Sequence, residues 1–291
     1  MLRGSIVALV TPMKADGAVD FEALESLIEW HIAEGTNGIV PMGTTGESPT
    51  LDTPEHLVVI RRTIEIAAGR LPVIAGTGSN STQEAIHQTQ EAERLGADAC
   101  LLVTPYYNRP TQEGLYRHYR AIAEVTNVPL LLYNVPPRTA SDLKPETVGR
   151  LAEVARIAGI KEACGNPERV AEIRALVPED FIVLSGEDAQ TLRMMELGAV
   201  GTISVTANVL PKMMSEFCAA FLAGDLDRAR ALDAKLQPIH KILFIETSPQ
   251  PTKWALYEMG RIDRGIRLPL IELSEQHRPE LRRLLKEVGA L

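Results

Sequence analysis

Cysteine is scarce: Cys100, Cys164 and Cys218 are the three in 291 residues. They are odd in number, widely spaced and set among apolar or small neighbours, with no Cys-x-x-Cys pair. That excludes a disulfide framework and a structural zinc site. The six histidines, His31, His56, His87, His118, His240 and His277, show no paired ligand spacing, so no metal is expected. Long apolar runs are lacking too. The first, Ile6–Val10, ends after five residues at Thr11 and Pro12, too short for a signal-peptide core or a bilayer span. A soluble, cytoplasmic protein is expected. Basic residues fall short of acidic ones, 30 against 38, giving a formal net charge of −8. Such a surface disfavours nucleic acid and anionic membranes as partners and leaves capture of an anionic substrate to local basic residues. There is no Gly-x-Ser-x-Gly and no Walker motif. The nearest approach to a dinucleotide fingerprint, Gly76-Thr77-Gly78-Ser79-Asn80, lacks its third glycine and follows the third apolar run rather than the first. No bound cofactor is expected.

What is present is an ordinary globular composition, 45% apolar and 23% charged, with a strong alternation. Short runs rich in Val, Ile and Leu occur at Ser5–Val10, Gly38–Met42, Pro72–Ala75, Ala99–Val103, Pro129–Tyr133, Ile157–Lys161, Phe181–Leu184 and Val200–Val205. They read as strands buried on both faces. Amphipathic helical patterns lie between them, among them Phe21–Ala33, Pro54–Ala68, Thr82–Leu95 and Gln112–Val125. Thr53-Pro54-Glu55 reads as a helix start, and Ser81 to Glu84 has the offset of a capping box. Eight such units predict an α/β fold of the (β/α)8 TIM-barrel type, with a doubly wound open sheet as the alternative. After the eighth run only helical patterns remain. The expected division is a catalytic barrel over 1–224 and a C-terminal all-helical appendix over 225–291, parted at Gly224-Asp225.

In such a barrel, chemistry sits at the C-terminal ends of the strands. The polar residues there are Thr44 and Thr45, Asn80, Tyr106 and Tyr107, Tyr133 with Asn134 and Arg138, Lys161 with Glu162, and Glu187 with Asp188. Of eight lysines, Lys161 alone ends an apolar strand. Two readings stand: a lysine snorkelling from a strand end, or a Schiff-base nucleophile whose attacking neutral form is favoured by loss of hydration. Tyr133 and Tyr107 are either packed aromatics with wet hydroxyls or members of a proton relay with Thr44. Arg138, behind Val135-Pro136-Pro137, is either a surface arginine or a bidentate carboxylate clamp. Glu187-Asp188 reads as a helix N-terminal charge motif rather than a ligand pair. A lysine at the mouth of a barrel without metal or cofactor suits carbonyl chemistry through an imine.

Three segments carry a family resemblance: Gly43-Thr44-Thr45-Gly46-Glu47-Ser48, Tyr133-Asn134-Val135-Pro136-Pro137-Arg138-Thr139, and Gly159-Ile160-Lys161-Glu162-Ala163. Thr104-Pro105-Tyr106-Tyr107-Asn108, Leu184-Ser185-Gly186 and the stretch from Ile203 to Asn208 add to it. From Gly4 to the C-terminus the sequence resembles the 4-hydroxy-tetrahydrodipicolinate synthases, lyases of the pyruvate-dependent class I aldolase superfamily. The resemblance implies condensation of pyruvate with L-aspartate 4-semialdehyde on the diaminopimelate route to lysine. It implies that Lys161 forms the imine and that Tyr133, Thr44 and Tyr107 relay protons, Tyr107 in the neighbouring subunit's site. Thr45 would bind the pyruvate carboxylate and Arg138 that of the semialdehyde, while the Gly186 and Ile203 backbones line the pocket. A homotetramer, a dimer of tight dimers, is the implied assembly.

The resemblance also implies an allosteric site at a subunit interface, where lysine binds in many members. Ser48, Pro49, His56, Asn80, Glu84 and Tyr106 match or occupy its positions. Pro49 replaces a common Ala, and Thr53 stands where some inhibited members have His. Glu246-Thr247-Ser248-Pro249-Gln250-Pro251-Thr252-Lys253 departs from the usual Glu-x-Asn-Pro-Ile-Pro-Val-Lys, Cys164 replaces a usual Ser or Thr, and Pro41-Met42 replaces two small or aliphatic residues. N-acetylneuraminate lyases and sugar-acid aldolases resemble the same barrel but usually lack an arginine at the place of Arg138. They are the alternative, with a non-catalytic sensor barrel behind them.

Overall fold

The side-chain parity of short apolar strands organises the chain. The computed structural model describes residues 2–291. The elements in order are β1 (Gly4–Ala8), α1 (Phe21–Ala33), β2 (Gly38–Val40), α2 (Thr53–Ala67), β3 (Ile74–Gly76), α3 (Thr82–Leu95), β4 (Ala99–Val103), α4 (Gln112–Ala123) and β5 (Leu130–Asn134). There follow a single turn α5 (Pro136–Thr139), α6 (Pro145–Ala152), β6 (Ile157–Glu162), α7 (Arg169–Arg174), β7 (Ile182–Ser185), α8 (Thr191–Glu196), β8 (Gly201–Ser204) and α9 (Pro211–Leu222). The last three are α10 (Leu226–Ile242), α11 (Gln250–Glu258) and α12 (Arg278–Glu287). All eight expected strands form, each within about two residues of its apolar run.

All strand pairs are parallel, in the order β2-β1-β8-β7-β6-β5-β4-β3. The two ends meet through a parallel bridge between Ile39 and Val73. The Gly76 N–H donates to the Pro41 carbonyl at 3.0 Å. The sheet thus closes into a barrel, and the open-sheet alternative is set aside. Successive side chains point to opposite faces. Ile6, Ala8, Leu101, Leu131, Tyr133, Leu184 and Ile203 pack in one cluster inside the barrel. Val7, Leu9, Cys100, Leu102, Leu130, Leu132 and Val183 pack outward in a second cluster, under the helices. α10, α11 and α12 join that outer cluster through Leu236, Ile239, Trp254, Leu256, Leu281 and Leu285. No helix among the described residues is long and apolar enough to cross a membrane.

Two helix starts differ in detail from the sequence reading. α2 is capped by Asp52, whose Oδ1 accepts the Glu55 N–H at 2.9 Å, so Thr53 is already the first helical residue. Aspartate one position earlier supplies the stronger acceptor. At α3, Ser81 Oγ accepts the Glu84 N–H at 3.4 Å, but Glu84 does not return the bond directly. Its Oε2 accepts from Ser79 Oγ at 2.8 Å, and that hydroxyl accepts the Ser81 N–H at 3.1 Å. The reciprocal half of the box passes through a third residue.

The seam between the first and last strands rests on Asn208. Its Oδ1 accepts the Val10 N–H at 3.0 Å, and its Nδ2 donates to the carbonyls of Ala8 at 2.8 Å and Val205 at 3.0 Å. Asn208 is fully buried. Each buried group left unpaired costs about 1–3 kcal/mol. Asn208→Leu is therefore expected to lower stability by about 2–5 kcal/mol. Urea unfolding checks this, and an unchanged midpoint would remove Asn208 as the seam.

Candidate active site

β6 ends with two consecutive charged residues, and parity sends them to opposite sides. Lys161 points into the barrel and is 5% exposed. It is paired in register with Tyr133 on β5 and Leu184 on β7. Its Nζ lies 4.3 Å from the centroid of the Tyr133 ring. No carboxylate among the described residues forms an ion pair with it, so the amine stands enclosed beside a phenol ring. Gly186, just past β7, makes the space for it: a Cβ there would stand 2.8 Å from Lys161 Cε and 2.7 Å from Ala163 Cβ. The Gly186 N–H donates to the Glu162 carbonyl at 2.7 Å, which fixes this close approach. Ile203 on β8 belongs to the same interior cluster as Tyr133 and Ala163.

Glu162 points the other way, buried behind the strand. It accepts from Asn134 Nδ2 at 3.0 and 3.1 Å and from the Cys164 N–H at 2.8 Å. Burial pushes its carboxyl up to about 7, against the opposing pull of Asn134, Cys164 and Arg169. Asn134 is further tied to Asp142 at 3.1 Å and to the Leu143 N–H at 2.9 Å, and Arg169 binds Asp142 at 3.0 Å. Burial acts on Asp142 as well, but Arg169, Lys144 and Asn134 outweigh it and hold that carboxyl down at about 2. Sequence reading placed Asn134 and Glu162 at the mouth without seeing that they form this brace. The available signal was two charges in a row on a buried strand, since one of them must face outward.

Thr44 and Thr45 form a 3₁₀ turn with Gly46 after β2, with Thr45 buried and Thr44 half-buried. Arg138 lies on α5, exposed, with no ion-pair partner among the described residues. Thr44 and Arg138 line one cavity of about 560 Å³ with Val135 and Thr139. The same cavity is lined by Ser48, Pro49, His56, Glu84 and Tyr106. Asn80 is joined to it by a 3.2 Å bond from Nδ2 to the Tyr106 carbonyl. His56 Nε2 donates to the Gly76 carbonyl at 2.7 Å. Burial holds the His56 imidazole below its usual range, against the Gly76 bond and the Glu84 charge. Tyr107 is not brought in. It is 91% exposed with φ at +70°, outside the site of its own chain.

Glu187 is half-buried, and burial raises its carboxyl against the charges of Lys161 and Arg138. Glu187 and Asp188 do begin a helical segment, a 3₁₀ turn over Asp188–Gln190 that leads into α8, but the Asp188 side chain does not serve that terminus. Its Oδ2 accepts the N–H groups of Val205 at 2.9 Å and Thr206 at 2.8 Å, so its carboxylate caps the turn after β8. No group of three or more His, Cys, Asp or Glu among the described residues is placed to hold a metal ion. Burial pushes the Cys100 thiol up to about 12 and Cys164 to about 11, and Cys218 upward as well, so none is an activated thiolate.

An enclosed lysine amine, a phenol beside it and a free guanidinium at the rim suit imine chemistry on an anionic substrate. A family model described as the dihydrodipicolinate synthetase family matches residues 1–288. The chain belongs to the dihydrodipicolinate synthetase family. A 4-hydroxy-tetrahydrodipicolinate synthase of Alcanivorax borkumensis is 59% identical over 291 residues, 100% of this chain and 99% of that one. The crystal structure of a chloride-inhibited dihydrodipicolinate synthase from Acinetobacter baumannii, complexed with pyruvate, superposes with a TM-score of 0.98 at 55% identity, covering 100% of both chains. A structure from Cyanidioschyzon merolae with lysine bound superposes at 0.96 with 37% identity, covering 99% of each chain. The TIM-barrel fold of this family is thus the fold of this chain.

The Glu162 brace carries a pH signature. Its carboxyl is higher in the folded chain than in the unfolded one, so the folded chain binds the extra proton between the two values. That contribution to stability is present in acid and is lost as pH rises through about 7. Over this interval the parent is expected to lose roughly 3 kcal/mol relative to Glu162→Gln, which cannot ionise. Urea midpoints of both proteins from about pH 5 to about pH 8 test it; a constant difference would refute the buried ionisation.

Proposed function

We propose that the chain catalyses the 4-hydroxy-tetrahydrodipicolinate synthase reaction, condensing pyruvate with L-aspartate 4-semialdehyde through an imine on Lys161. The observation that carries the mechanism is the enclosed Lys161 amine against the Tyr133 ring. The relatives matched over the whole chain support the lyase class.

The neutral Lys161 amine adds to the C2 carbonyl of pyruvate, and water leaves as the imine forms. Protonated imine nitrogen acidifies the methyl group, whose proton passes to the relay of Tyr133, Thr44 and the neighbouring subunit's copy of Tyr107. The enamine carbon then attacks the aldehyde carbon, and the relay returns a proton to the developing alkoxide. The amino group of the second substrate attacks the imine carbon and expels Lys161 as an amine, closing the ring. Imine formation matters because it turns a weakly acidic methyl ketone into an accessible enamine. Thr45 holds the pyruvate carboxylate and Arg138 that of the semialdehyde, a charged contact that a chain of net charge −8 must supply locally. The Gly186 and Ile203 backbones line the pocket. The exposure of Tyr107 supports its exchange across a tight dimer interface, within a homotetramer.

Lysine, the end product of this route, binds in the cavity flanked by His56, Glu84 and Tyr106, with Ser48, Pro49 and Asn80 around it. Support comes from the lysine-bound relative and from the cavity reaching Thr44 and Arg138. Borohydride added with pyruvate is expected to leave a mass increase on Lys161, and semialdehyde to be turned over in preference to N-acetylneuraminate or sugar-acid substrates. An unlabelled Lys161 in folded protein would sink the mechanism. Millimolar lysine is expected to slow turnover and give a calorimetric binding signal; an absence of both removes the allosteric reading.

A further inference from the structure

Glu47 has no part in the steps above, yet it is buried and ion-paired at the mouth. Its side chain is 1% exposed and that of its partner Lys253 is 4% exposed. One carboxylate oxygen takes the Lys253 ammonium, and the other accepts the Arg267 backbone N–H at 3.1 Å. The Glu47 backbone closes the turn that carries the two threonines. Its N–H donates to the Thr44 carbonyl at 3.1 Å, and its own carbonyl accepts the N–H of Thr50 at 3.0 Å and the Thr50 hydroxyl at 3.1 Å. φ and ψ are +59° and +34°, left-handed for a residue that has a Cβ. Such a conformation persists where the surroundings over-determine it.

The partners come from far along the chain. Lys253 stands on α11, beyond the eight strand–helix units. Arg267 extends the joint, donating to the Gly17 carbonyl at 2.9 Å and the Thr50 carbonyl at 2.8 Å, and forking onto Glu55 at 2.6 and 2.7 Å. Burial lowers the Lys253 amine from its ordinary range, and the Glu47 charge opposes that shift. Removing either partner would leave a charge enclosed without compensation.

We propose that Glu47 is a positioning residue: clamped by Lys253 and the Arg267 backbone, it fixes the turn that presents the Thr44 and Thr45 hydroxyls to the imine site. The C-terminal helices therefore set the geometry of the relay and of the pyruvate carboxylate contact. This rests on the Lys161 reading above.

The test is the steady-state kinetics of Glu47→Gln, Lys253→Gln and the double variant, with end-point borohydride labelling by pyruvate. Glu47→Gln should lower kcat by about 10–100-fold and raise KM for pyruvate, while KM for the semialdehyde, held by Arg138 on α5, stays within about twofold. Labelling of Lys161 at saturating pyruvate should remain complete. The double variant, in which two amides bond without an enclosed charge, should turn over faster than Lys253→Gln alone. Circular dichroism checks folding, and Lys253→Met is measured in the same way if Glu47→Gln does not fold. Normal turnover by Glu47→Gln in a parent that labels overturns this proposal alone, as does an equal collapse of labelling and of both KM values. A folded parent that takes no label overturns the imine reading and this proposal with it.

Discussion

The structure depends on the two-residue period of its parallel strands within a closed barrel. Each strand has an inner and an outer face, both largely buried, so parity decides what every residue near a strand end can do. On β6 the same step that aims Lys161 at the barrel axis sends Glu162 behind the wall. On β5 it sends Tyr133 inward beside Lys161 and Asn134 outward to Glu162. The Lys161–Tyr133 pair and the Glu162–Asn134 brace are two sides of one pair of strands. A one-residue slip would exchange them, burying the carboxylate at the mouth and the amine under the helices.

The brace and the mouth are ordered by different devices. Behind the wall, Glu162, Asn134, Asp142 and Arg169 form a hydrogen-bonded chain that locks the ends of β5 and β6. At the rim, the Thr44 turn is held from outside by the Glu47–Lys253 pair, which joins the turn after β2 to α11. Between them Gly186 is a steric allowance: its missing Cβ is the volume the Lys161 stem fills. The imine chemistry proposed for this site needs its groups held closely, because carbonyl addition and proton transfer tolerate little displacement.

Much of the fold was legible because buried parallel strands are written as continuous apolar runs with turn residues at each end. The bounds of α1 and α3 coincide with the periodic pattern, since solvent-facing helices on a barrel carry a clean 3.6-residue stripe. The exceptions were local. The α2 cap moved to Asp52, the α3 box closed through Ser79, and Asp188 turned to the loop after β8. In each case the partner of a polar side chain was set by local three-dimensional geometry that residue order does not carry.

By itself the sequence determined the barrel class, the uniqueness of Lys161 among its lysines and the family to which the motifs belong. These rest on periodicity and on residue type, which are properties of the chain read in order. Tertiary structure alone decided that Lys161 lies against Tyr133, that Gly186 leaves room for it, and that Lys253 returns across more than two hundred positions to Glu47. It also decided that Arg138 shares one cavity with Ser48, Pro49, His56, Glu84 and Tyr106, with Asn80 bonded to its edge. Those facts depend on the register of neighbouring strands and on the packing that brings distant loops and helices to a common rim.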